Sequence, residues 1–108
     1  MRINEYQELA QRTASTKSEE SKIENGCLGL AGESGEVCDL LKKYLYKGHE
    51  LARAKMIEEL GDVCWYAAEL AKGLGVTLET VCEANIAKLR KRYPQGFDAE
   101  RSRNRQDQ

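Results

Sequence analysis

Met56, Leu60, Val63, Ala67, Leu70 and Leu74 recur at alternating steps of four and three. That rhythm lays one apolar stripe along a helix and predicts a helix over about residues 51–72. A second stripe, Ile23, Cys27, Leu30, Val37, Leu41 and Tyr44, recurs at steps of three, four and seven and predicts a helix over about 20–47. Ile3, Tyr6, Ala10 and Thr13, with Leu9 alongside, predict a short amphipathic helix within residues 2–15. Leu78, Cys82, Ile86, Leu89 and Tyr93 form the stripe of a fourth helix, with Thr77 a suitable N-cap and Pro94 a stop.

The connectors agree with these elements. Residues 13–18 are rich in Ser, Thr and Lys and read as a loop. Ser18 or Ser21 can cap the next helix, and Ser21-Lys22-Ile23-Glu24 fits a capping box. Gly48 marks a helix stop, residues 48–51 a turn, and Gly73-Leu74-Gly75 a second stop. Strand-like runs are absent. The expected fold is all-α, a four-helix bundle over residues 1–97, followed by a charged and flexible tail over 98–108 carrying Arg101, Arg103 and Arg105.

Composition narrows the function classes. With 108 residues there is room for one domain and one core. The net charge of −1 gives no bias toward nucleic acid or membranes. No stretch approaches the roughly 18 apolar residues of a membrane span, and the N-terminus lacks the apolar region of a signal peptide, so a cytoplasmic location is expected. Cys27, Cys38, Cys64 and Cys82 form no C-x-x-C pair, and His49 is the one histidine. That spacing argues against zinc and against a disulfide framework. Buried free thiols acting as small apolar residues are expected instead.

The chemistry lies in the two central helices. Glu33 and Glu36 stand three residues apart, as do Glu59 and Asp62, with 22 residues (37–58) between the pairs. Each pair shares a helix face, where like charges repel by about 0.2–0.5 kcal/mol. At about 100° per residue, Glu59 borders the apolar stripe, Asp62, Tyr66 and Glu69 continue beside it, and Glu58 points the other way. Two acidic pairs inside apolar helices joined by a hairpin suggest a divalent cation held between them. Four carboxylates are hard oxygen ligands suited to Mg²⁺ or Mn²⁺, and no histidine matches a di-iron pattern. Asn85, Lys88 and Arg92 form a polar line on the fourth helix, suited to phosphate or simply to water. Gly26, Gly29, Gly32 and Gly35 recur every three residues, each costing about 0.8–1 kcal/mol in a helix. Close helix approach, ligand access to the acids, or a kinked first half would each explain them.

These residues resemble the MazG-like nucleotide pyrophosphohydrolases of the all-α NTP pyrophosphatase superfamily, in their short single-domain form. The resemblance rests on Glu33-x-x-Glu36 and Glu59-x-x-Asp62 with their flanks, Gly29 to Val37 and Glu58 to Val63. It also rests on Lys88-Leu89-Arg90-Lys91-Arg92-Tyr93-Pro94 with Gly96-Phe97, and covers roughly residues 20–97. It implies Mg²⁺-dependent hydrolysis of a nucleoside triphosphate to the monophosphate and pyrophosphate, with metal on Glu33, Glu36, Glu59 and Asp62 and one of them as base. It implies phosphate binding by Lys88 and Arg92, with Asn85 assisting, and a homodimer or homotetramer in which subunits complete each other. Two alternatives stay open: a non-catalytic nucleotide or metal binder on the same fold, and a helical interaction module with surface acids.

Overall fold

Ser18 fixes where the longest helix starts. Its hydroxyl accepts from the backbone N–H of Ser21, and the Ser21 hydroxyl engages the Ser18 backbone in return. The capping box is therefore Ser18/Ser21, one turn earlier than Ser21/Glu24, because Ser18 takes the extended backbone an N-cap needs. The computed structural model describes residues 1–105. Its helices are α1 (Ile3–Gln11), α2 (Glu19–Tyr46), α3 (Arg53–Gly73), α4 (Leu78–Arg92) and α5 (Ala99–Arg103). The protein is all-α. No helix among the described residues is long and apolar enough to cross a membrane.

The chain divides into two compact units, one over Met1–Leu78 and one from Glu79 onward. In the first, α2 and α3 form a long hairpin and α1 packs on α3. Glycine sets the spacing of the hairpin. A Cβ at Gly26 would stand 2.8 Å from Leu70 Cβ and 2.9 Å from Leu70 N and Cα, and one at Gly29 would fall within the Tyr66 ring. Gly73 is pressed the same way against Ile23, with 2.9 Å available. Gly32 and Gly35, by contrast, face open space. The first two of the glycine series thus serve close approach, and the last two have no neighbour that a side chain would meet. The helix is not broken there.

Buried polar groups hold this unit together as much as apolar ones. Glu69 is fully buried and accepts from Thr16 Oγ1 at 2.7 Å and from the Asn25 amide, with Lys22 Nζ 3.7 Å away. Gln7 is buried on α1; its Nε2 donates to the carbonyls of Ala68 and Val76, and its Oε1 accepts from the N–H of Leu78 at 2.9 Å. Ala68, Ala71 and Leu78 form the apolar centre, with Tyr6 and Ala67 against it.

Two expectations need correcting. The α3 stripe is only partly covered: Leu60 and Leu74 are each 58% exposed, while Glu59, Ala68, Glu69 and Ala71 are buried. Close approach at glycine turns the neighbouring line of α3 toward α2. The four cysteines are free, as expected, but all are exposed. They stand on helix faces that this single chain does not cover.

In the second unit, α4 ends at Arg92, ahead of Pro94. Residues 98–108 read as a tail, but Ala99–Arg103 form a short helix whose N-cap, Asp98, accepts from the N–H groups of Glu100 and Arg101. Residues 106–108 of that expected tail lie outside the described residues.

Candidate metal centre

α2 and α3 bring Glu33, Glu59 and Asp62 together. One carboxylate oxygen from each lies within 4.8 Å of the others. Glu59 is buried at 9% exposure, Glu33 is half-buried and Asp62 is exposed, so the group opens to solvent on one side. Glu58 faces outward with 69% of its side chain exposed, as its helix angle requires. Glu36, one turn beyond Glu33, is exposed and stands outside the group of three. Asn85, Lys88 and Arg92 lie along α4, in the second unit.

The electrostatics of the cluster are those of acids held too close. A hydrogen bond to Glu59 is the main influence raising the Glu33 carboxyl above its ordinary value, with burial and the charges of Asp62, Glu59 and Glu36 adding to it. The same hydrogen bond is the main influence holding Glu59 below the ordinary range, helped by Lys55 and opposed by burial. Two carboxyls this close divide in this way, one pushed up and the other down, because both cannot ionise freely side by side. Lys55 Nζ lies 3.3 Å from Glu59 Oε1 and 3.3 Å from Glu58 Oε2, and this contact raises the lysine's own pKa. Lys55 was not singled out from sequence; its place four residues before Glu59 is the signal that would have found it.

Glu33 Oε2 is buried with no hydrogen-bond partner. An orphaned carboxylate oxygen beside two further carboxylates is a donor set with hard ligands and an unfilled demand for positive charge, which a divalent cation fits.

Residues 21–97 match the model of the MazG nucleotide pyrophosphohydrolase domain. The chain belongs to this family. It is also similar to "Gene 37 protein" of Mycobacterium phage L5, 41% identical over 73 residues, which cover 64% of this chain and 64% of that protein. The chain thus spans less than two thirds of that relative's length. No solved structure matches.

Membership gives the two central helices their context, and the neighbouring aromatics gain roles in it. The Trp65 indole donates to the carbonyl of Ala10 at 3.1 Å and to Thr13 Oγ1 at 2.8 Å, fastening α1 to α3. Tyr66 meets Trp65 edge-on, with ring centroids 5.0 Å apart, and fills the space Gly29 leaves. Both therefore work in packing. Glu69 was seen from sequence only as continuing the line of Glu59, Asp62 and Tyr66. Tyr66 meets Gly29 and Glu69 meets Asn25, both on α2, so the far end of that line is covered while Asp62 stays exposed.

Proposed function

We propose that the chain hydrolyses a nucleoside triphosphate to the monophosphate and pyrophosphate, with Mg²⁺ as the preferred ion and Mn²⁺ as a substitute. The observation that carries this reading is the convergence of Glu33, Glu59 and Asp62 from two helices, one oxygen of Glu33 orphaned, in a chain of the MazG family. Glu33, Glu59 and Asp62 would hold the cation, with Glu36 joining from the next turn of α2. A cation bound there lowers the pKa of water and offsets charge on the leaving pyrophosphate. One of these carboxylates would accept the proton from water attacking the α-phosphorus. Lys88 and Arg92 would hold the β- and γ-phosphates, Arg through its planar fork and Lys as a point charge, with Asn85 assisting.

We place the protein in the cytoplasm as a homodimer or homotetramer. Leu28 on α2 is 75% exposed and Ile57 on α3 72% exposed, apolar side chains that a second copy would cover.

Hydrolysis in ¹⁸O-labelled water tests the bond that breaks. Label in the nucleoside monophosphate supports attack at the α-phosphorus. Label in orthophosphate, with a nucleoside diphosphate as product, overturns it.

A further inference from the structure

α5 lies beyond the part of the chain that matches the family, which ends at residue 97. It nonetheless folds back on the last turn of α4: Arg101 Nε donates to the carbonyl of Arg92 at 2.7 Å. Between the two helices lies a cleft of about 860 Å³. Four cations line it, Lys91, Arg92, Arg101 and Arg105, against two acids, Asp98 and Glu100. Asp98 caps α5 and keeps its charge, so the lining carries four cations against two anions.

We propose that this cleft is a polyphosphate-binding site in which Arg101, supplied from outside the family domain, grips a phosphate of a nucleoside triphosphate. The inference rests on the proposed function for the identity of the nucleotide, and on the cleft alone for the phosphate chemistry. Arg101 is suited to the task by its hydrogen bond. Nε is engaged by a backbone carbonyl, so the guanidinium plane is fixed while its two Nη groups remain available to an anion. A fixed fork loses less conformational freedom on binding than a swinging side chain, and it matches two phosphate oxygens at once. Lys91 adds a point charge beside it. Arg103, on the same short helix, lies outside the cleft and is the natural control.

Calorimetry on the full chain with inorganic tripolyphosphate, then with a non-hydrolysable nucleoside triphosphate and the matching monophosphate, reads the site directly. Arg101→Ala is expected to weaken tripolyphosphate and triphosphate binding about ten-fold or more, and monophosphate binding less. Arg101→Lys should recover only part, since it keeps the charge and loses the fork. Arg103→Ala should change binding less than two-fold. Circular dichroism melts accompany each variant; a loss of binding with an unchanged melt supports the site. Unchanged binding in Arg101→Ala overturns it. Equal losses in Arg101→Ala and Arg103→Ala also overturn it, because net charge alone would then account for the effect. Single-stranded oligonucleotide displacing tripolyphosphate at lower concentration than nucleotide does so too, since the cleft would then serve nucleic acid. Tripolyphosphate binding that depends on Arg101, in a chain releasing no pyrophosphate from any nucleotide, leaves the cleft standing and removes the proposed reaction. Pyrophosphate release indifferent to Arg101 does the reverse.

Discussion

Adding one methyl group should have opposite effects at two positions six residues apart on α2. At Gly26 the new Cβ would lie 2.9 Å from the backbone N and Cα of Leu70. Carbon atoms pack at about 3.5–4.0 Å, so the helices would have to separate locally by roughly 0.6–1.1 Å. The obstacle is mainly backbone, which cannot swing aside as the end of a side chain can. Overpacking of this kind costs about 1–3 kcal/mol, and a backbone collision belongs at the upper end. The better helix propensity of alanine returns about 1 kcal/mol. Gly26→Ala is thus expected to lose about 2 kcal/mol. At Gly32 nothing stands within 4 Å of the added methyl, so Gly32→Ala is expected to gain up to about 1 kcal/mol. Urea denaturation followed by circular dichroism, without metal and at one protein concentration, measures both. An increase in stability for Gly26→Ala, or losses of equal size at both positions, would refute the account of the hairpin given above.

The remaining expectations concern the acids. Glu59→Gln should abolish Mg²⁺-dependent pyrophosphate release while leaving the metal-free fold intact, and Glu58→Gln, pointing outward, should retain activity; near wild-type turnover in Glu59→Gln at saturating Mg²⁺ would exclude the carboxylate site. The raised Glu33 carboxyl contributes stability that is present below its ordinary value near 4.5 and is lost as pH climbs through its raised value. Glu59, lowered, acts in the opposite sense, contributing above its ordinary value and losing that as pH falls through the lowered one. Metal-free wild type should therefore lose stability relative to Glu33→Gln as pH rises above about 4.5, and thermal melts of the two across pH 4 to 8 check this. Glu69→Ala takes the acceptor from the Thr16 hydroxyl and the Asn25 amide, while Lys22 keeps Gln11, and should cost about 1–3 kcal/mol in the same urea assay.

What the sequence disclosed depended on whether the cause of a feature was local. Helix limits were legible because caps and stops are local: Pro94 and the Gly73–Gly75 stretch fall where the chain leaves the helix. The direction of Glu58 against Glu59 followed from helix angle alone. The rotation of α3 was not legible, because apolar spacing does not encode which glycines a partner helix will press against. The glycine repeat itself looked uniform, yet only its first two members lie under α3. Burial of Glu69 depends on Thr16 and Asn25, 53 and 44 residues away in the chain. Exposure of the cysteines reflects how little apolar surface one small chain covers by itself. Helix α5 escaped notice because its charged composition is that of solvated tails, and what holds it is Asp98 and one carbonyl of α4.

The Gln7 amide separates the assembly of this protein into early and late events. The acid-bearing helices are joined by a turn, so their pairing closes short loops and can form quickly. The bond from Leu78 to Gln7 spans 71 residues and can form only once α1 has docked on the end of α3. On loop length alone the carboxylates are expected to gather first, with the N-terminal helix arriving as a latch. Losing that latch, by truncation or by Gln7→Ala, should speed unfolding far more than it slows the gathering of the acids.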